Sequence, residues 1–334
     1  MKNFLFFVFS FFVFTVNAND SLLVPLVKDS LLLDIAPLSG GYVVVGERGH
    51  VLVGDEFDSL QQAIVPSRAT LTSVAVSGDR IWAAGHDLTI LHSVDGGLSW
   101  QLQMQDFDAD KPFLDIVFFD DDHGVAIGAY GAFYRTLDAG QTWQKELHAS
   151  LLNPFDFEYL EEIRELDGEA FYNEELANIL PHLNRIEVTG DRVTLVGETG
   201  LVAQSFDFGK TWQRLAIDYE GSLFSLANTD NGLLVSGLRG NTFLLSDDQW
   251  LTIDLCHSAS VNSIIETDDA WITVANNGYV SKLFIDQINS DISCHDDSVN
   301  TFQTSEKVSV VSAIADAKTL LSVTANGLQS ITIQ

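Results

Sequence analysis

Three stretches of this chain repeat one another almost residue for residue: Ser93-Val94-Asp95-Gly96-Gly97-Leu98-Ser99-Trp100, Thr136-Leu137-Asp138-Ala139-Gly140-Gln141-Thr142-Trp143 and Ser205-Phe206-Asp207-Phe208-Gly209-Lys210-Thr211-Trp212. A fourth, Ser246-Asp247-Asp248-Gln249-Trp250, is shortened, and Asp55 to Leu60 is a decayed copy with Leu60 in the place of the Trp. Internal repetition constrains a fold tightly, because each unit must stack on its neighbours to bury its apolar face. The chemistry of the pattern Ser/Thr-x-Asp-x-Gly-x-Thr-Trp is that of a hairpin staple. The carboxylate accepts hydrogen bonds from the turn's own N–H groups, Gly permits positive φ, and the hydroxyl closes the turn from the other side. The Trp opens the next strand as a wedge between neighbouring sheets. Asp95, Asp138 and Asp207, with Trp100, Trp143, Trp212 and Trp250, are therefore assigned structural roles. One turn recurring in several units argues against reading these Asp residues as catalytic acids.

Around each staple lie three further apolar, alternating runs. In the second unit these are Leu71 to Val76, Arg80 to Gly85 and Leu88 to Ser93. First strands are expected near Leu33, Thr72, Leu114, Arg185, Phe224, Asn262 and Ser312. Most of these seven units are about 40 residues apart, the length of a four-stranded blade, which predicts an all-β, seven-bladed β-propeller. A ring must close or leave an unpaired edge. The last unit has three clear strands before Gln334, so the run Ser21 to Val27 is expected to supply its outer strand.

Two segments break the regularity. Between about 149 and 184 the apolar period changes from 2 to 3.6: Phe155, Tyr159, Ile163 and Leu166 share one helical face, and Asn173 is expected to cap a second helix ending before Pro181. Nine carboxylates and a single Arg, Arg164, occupy this insertion. It reads either as a solvated cap over a blade edge or as a partner-docking element. The second break is the cysteine pair, Cys256-His257 and Cys294-His295. In an oxidising compartment Cys256 and Cys294 suggest a disulfide between adjacent blades; a Cys-His metal site and two free thiols are the alternatives.

Lys2, the apolar run from Phe4 to Val16, and Val16-Asn17-Ala18 read as a signal peptide over residues 1–18, with cleavage after Ala18. The expected product is a periplasmic or secreted single domain over 19–334. The formal charge of −30 disfavours phosphate backbones and anionic lipid, so neither nucleic acid nor an anionic membrane is an expected partner. No cofactor or metal motif is present, and a monomer is the expected state.

The Gly-x-x-Gly turn followed by the staple, as in Gly197-Glu198-Thr199-Gly200 to Trp212, resembles the photosystem II stability/assembly factor family, whose repeats are of the Asp-box (BNR) type. The resemblance implies a non-catalytic propeller that serves as an assembly platform for a membrane protein. Asp boxes also occur in sialidases, which makes a glycoside hydrolase the alternative. That chemistry needs three Arg converging on the substrate carboxylate, and the Arg-Ile-Pro motif that would supply one is absent. For a platform the expected partner is an envelope or membrane protein. Hairpin geometry puts the second turn of every blade opposite the Asp boxes, so a binding face is expected at Glu47, Arg48, His86, Tyr130, Glu198, Arg239 and Asn276.

Overall fold

The computed structural model describes residues 19–229 and 232–333; the expected signal peptide lies outside them. Seven antiparallel sheets, at 32–63, 71–104, 113–145, 183–214, 223–252, 261–303 and 310–332, follow one another as the blades of a propeller. In each, the strands lie in sequence order from the axis outwards. Six blades have four strands and the seventh has three. Apolar side chains fill the spaces between successive blades, as where Val43, Val45 and Val51 of blade 1 meet Leu71, Ile81 and Leu91 of blade 2.

Every first strand carries the same defect. The register against the second strand slips between Leu32 and Asp34, Leu71 and Ser73, Leu183 and Arg185, Leu223 and Ser225, Val261 and Ser263, and Val310 and Ser312. In blade 3 the slip falls opposite Ile127 and Gly128. These bulges re-aim one polar residue per blade. The two ring Asp carboxylates use this to join blades. Asp34 accepts hydrogen bonds from Val74 N (3.0 Å) in blade 2 and Ser312 Oγ (2.9 Å) in blade 7. Asp115 accepts from Ser73 Oγ (2.7 Å) in blade 2 and Ile186 N (2.8 Å) in blade 4, with Arg185 Nε 3.5 Å away. An innermost strand has no strand beyond it to take up its N–H groups, and these carboxylates supply the missing acceptors. Burial is the chief influence on Asp34 and raises its pKa, against the opposing pull of Arg185 and the Val74 N–H.

The Asp boxes are built from local hydrogen bonds. Asp138 Oδ1 accepts from Thr142 N (2.8 Å) and Asp138 Oδ2 from Thr142 Oγ1 (2.7 Å), while Thr136 Oγ1 accepts from Gly140 N (2.7 Å). Asp95 and Asp207 repeat the arrangement. Each box also leans on the blade before it. Trp100 packs with blade 1, and Trp212 meets Phe133 of blade 3 edge-on at 6.3 Å. A Cβ on Gly97 would come within 3.0 Å of Val53, so glycine is needed there for close approach as well as for its φ of 88°.

The ring closes differently from expectation. Ser21 to Val27 forms no strand on the last blade; Ser21 N donates to Val65 O (2.8 Å) and Val24 N to Gln62 Oε1 (2.9 Å), placing the segment along blade 1. Closure rests instead on Asp34 with Ser312, and on Leu32, Ile35, Leu52, Phe57 and Leu60 packed against Leu321 and Val323. Side-chain burial thus does what strand pairing was expected to do. The outer edge of the last blade is its third strand, Gly327–Thr332.

The insertion forms α1 (Pro154–Asp167) and α2 (Glu169–Ile179). Asn153 caps α1 by accepting from Asp156 N, with Pro154 at the first helical position. Asn173 is not a cap: it lies inside α2 and donates from Nδ2 to Glu169 O, because the left-handed Gly168 (φ 88°) already divides the helices. The helices bury Leu160, Tyr172, Leu176 and Leu180 against Leu183 and Ile186. The expected apolar face of α1 points elsewhere: Phe155 is 84% exposed and Leu166 83%.

Candidate partner-binding face

A turn between strands two and three must leave the strands on the face opposite the turn between three and four. The sequence meets the geometry of these second turns with a left-handed residue at Arg48 (φ 56°), Tyr130 (φ 53°), Thr199 (φ 54°), Arg239 (φ 59°) and Asn277 (φ 57°). The glycine that opens each of these turns in blades 1 to 5 is required for a different reason. A Cβ on Gly46, Gly85, Gly128, Gly197 or Gly237 would collide with the carbonyl that precedes the neighbouring first strand. This holds the second turn close to the crossover from the previous blade.

The seven residues expected on this face are thus distributed around a ring, one per blade from blade 1 to blade 6, with Glu47 and Arg48 sharing a turn and paired at 3.7 Å. The structure draws only two of the others together. Tyr130 meets the His182 ring edge-on at 4.5 Å, and His182 Nδ1 lies 3.5 Å from Glu198. Lys111 completes this cluster, donating to Tyr130 O and standing 5.6 Å over its ring; burial is the main cause lowering the Lys111 pKa. His86, Arg239 and Asn276 remain in their own blades. Asn276 accepts from Asn262 Nδ2 (3.0 Å), and Arg239 N donates to Ser260 Oγ (3.3 Å).

The insertion stands on this same face, since Gly131 N of the blade-3 turn donates to Pro181 O (3.0 Å) and Leu180 fills the space beside Gly131. Between α1 and blade 4 lies a groove of about 810 Å³ whose walls include Leu152, Phe155, Phe157, Ile217 and Tyr219, with Asp156 and Glu220 at its border. Arg214 fixes its floor: Nη1 donates to Leu151 O (2.8 Å) and Nη2 to Thr199 O, tying the insertion and the turn to the outer strand of blade 4. Desolvation, the main effect on Arg214, lowers its pKa. With both terminal nitrogens held by backbone carbonyls, Arg214 acts as a strut.

Two features escaped the sequence reading. The axial ring had a signal, an apolar-x-polar-apolar step repeated in every first strand, as in Leu32-Leu33-Asp34-Ile35 and Phe113-Leu114-Asp115-Ile116. The groove had none, because its walls come from 152–157 and 215–220, brought together by tertiary contact. In the crossover from blade 5, Cys256 forms a disulfide with Cys294 (Cα–Cα 4.7 Å), joining the end of blade 5 to the long loop of blade 6. Their sulfurs are therefore committed to each other, which takes away the thiolates of the Cys-His metal alternative.

The arginines needed for the glycosidase alternative are dispersed. Arg135 is buried with Glu146 (2.7 Å) and the carbonyls of Phe208 and Gly209, Arg185 belongs to the axial ring, and Arg48 and Arg239 lie on different blades.

Comparison with known proteins agrees with this reading. The sequence model of the family described as Photosynthesis system II assembly factor YCF48 matches residues 101–222. No curated protein matches the chain. Among solved structures, YCF48 bound to D1 peptide is similar with a TM-score of 0.65 at 14% identity, covering 96% of this chain and 98% of that one. YCF48 from Cyanidioschyzon merolae gives 0.63 at 13%, covering 95% and 99%. The WD40 propeller domain of Doa1 gives 0.64 at 11%, covering 92% and 94%. Seven blades, Asp-box staples and the match through blades 3 and 4 make this chain a β-propeller that resembles the photosystem II assembly factor family.

Proposed function

We propose that the chain is a non-catalytic, exported platform that binds an envelope or membrane protein across its turn-and-insertion face. The observation that carries this reading is the groove between α1 and blade 4, an apolar cleft with exposed aromatic walls on the face where the second turns vary. The similarity to YCF48, one structure of which holds a D1 peptide, supports a protein as the ligand class. The opposite face is occupied by repeated staples whose carboxylates are engaged in their own turns.

The test is capture of cross-linked partners from the native envelope by the chain and by an Arg48→Glu, Tyr130→Ala, Arg239→Glu variant. These side chains are exposed, so the variant should keep the wild-type circular dichroism spectrum while losing capture. Undiminished capture by the folded variant, or turnover of a fluorogenic sialoside that Arg48→Glu abolishes, would defeat the reading. Deleting the insertion is a poorer test, because Leu160, Leu176 and Leu180 cover the core of blades 3 and 4.

A further inference from the structure

We propose that the segment received on this face is a cationic, amphipathic helix whose apolar side lies along the stripe Phe155–Tyr159–Ile163–Leu166 of α1 and whose end enters the adjoining groove. This rests on the platform reading above and adds the chemistry of the partner.

The stripe is built as a packing face and its two ends are left open: Ile163 is half-buried and Tyr159 Oη donates to Glu175 of α2 (3.2 Å), while Phe155 and Leu166 stand in solvent. Its residues recur at the spacing that brings them to one side of a helix, which in a globular domain marks the side facing a core. Here the core side of α1 is Leu160, and the stripe stays largely outside, with Ile163 half-buried between Phe155 (84% exposed), Tyr159 (48%) and Leu166 (83%). Two large, nearly fully exposed apolar side chains on one short helix are a docking signal of a different order from a scattered surface leucine. Phe155 lines the groove as well, so stripe and cleft are continuous at the first turn of α1.

Charge selects the partner. Glu158, Glu162 and Glu165 flank the stripe, all exposed, and make no ion pair among the described residues. Arg164, the one basic residue of the insertion, is already committed to Glu161 (2.8 Å) and Glu169 (3.3 Å) and lies 3.6 Å over the Tyr172 ring. Phe and Leu edged by unpaired carboxylates complement a helix with an apolar side edged by Lys or Arg. The same charges oppose the other occupants. A second copy would bring carboxylates against carboxylates, and a chain of net charge −30 is repelled by anionic lipid.

The test uses purified chain and two synthetic helices, one of Leu and Lys and one of Leu and Glu with the same apolar spacing, titrated calorimetrically at low and physiological salt. The Leu/Lys helix should bind, more weakly in higher salt, and the Leu/Glu helix should not. Phe155→Ser, Tyr159→Ser, Leu166→Ser together should weaken binding about tenfold or more, and Glu158→Gln, Glu162→Gln, Glu165→Gln together should weaken it and flatten its salt dependence. Because these side chains are exposed, thermal unfolding of both variants should match wild type. Equal affinity for the two helices, no binding of the Leu/Lys helix, or unchanged binding by the folded Ser variant overturns the proposal. So does attachment to phosphatidylcholine vesicles, lost in the Ser variant, without binding of either helix. Loss of envelope capture by the Arg48, Tyr130, Arg239 variant alongside any of these would leave the platform standing and remove only the helix.

Discussion

Blades 2 to 4 and blades 5 to 7 share an axis and differ at the rim. In the first group each outer hairpin is an intact Asp box pressed on the blade before it, and Arg135 of blade 3 reaches the carbonyls of the blade-4 box. In the second group the boxes are gone. Blade 5 turns tightly through Asp247 (φ 48°) and Asp248 (φ 61°), blade 6 carries a long loop tied back by the disulfide, and blade 7 stops at three strands. The close-approach glycine of blades 1 to 5 is Ala275 in blade 6 and Thr324 in blade 7. Yet the bulge and its polar residue persist in all seven. The axis has one geometrical solution, because seven inner strands converge on it, whereas the rim faces solvent and tolerates several.

The largest effect should therefore come from the axis. Asp115→Ala would leave Arg185, Ile186 N and Ser73 Oγ without their acceptor and should cost about 3–5 kcal/mol, measured by equilibrium denaturation. A loss below about 1 kcal/mol would mean that the axial ring does not join the blades. The comparison predicts an intermediate effect for the disulfide, which closes a separation of 38 residues. Cys256→Ser with Cys294→Ser should cost about 2–4 kcal/mol. Hydrogen exchange should rise in 284–303 and not in 93–143; an even rise would erase the distinction between the halves.

The smallest effect belongs to single staples. Asp138→Ala should cost about 1 kcal/mol, since its hydrogen bonds are local and partly solvated. The same groups set an acid response. Burial would raise the pKa of Asp207, but hydrogen bonds from Thr211, Ser205 and Lys210 outweigh it and hold the group at about 2. Glu146 is likewise held at about 2, with burial outweighed by His148 and Arg135. A carboxylate with a depressed folded pKa lends its stabilisation above the ordinary range near 4 and loses it as the pH falls towards 2. Acid in that window should loosen blades 3 and 4 first, read as earlier exchange at 133–146 and 202–214. Unchanged protection there down to pH 2 would show that these groups are not stabilising the rim.

The staples, the blade count and the helical insertion were legible in the sequence because each is specified by residues close together along the chain. Asp138, Thr136 and Thr142 find one another within seven residues. The axial ring was written there too, as a polar residue recurring inside apolar first strands, but alternation alone does not reveal a bulge that moves it to the axis. Asn173 misled because an Asn before an acidic run satisfies the rule for a cap, while Gly168 five residues earlier had already ended α1.

The sequence by itself determined seven units, their turns and the existence of a helix with an apolar stripe, since hydrogen-bonded turns and side-chain periods are local properties. Only the tertiary structure decided which side of that helix would be covered. Leu160, Tyr172 and Leu176 found a surface on blades 3 and 4, and Phe155 and Leu166 did not. It also decided that Ser21 to Val27 would lie along blade 1 and pack on the last blade without pairing with its outer strand. Burial depends on what the rest of the chain offers in space, and a one-dimensional pattern carries the demand for a partner surface without its location.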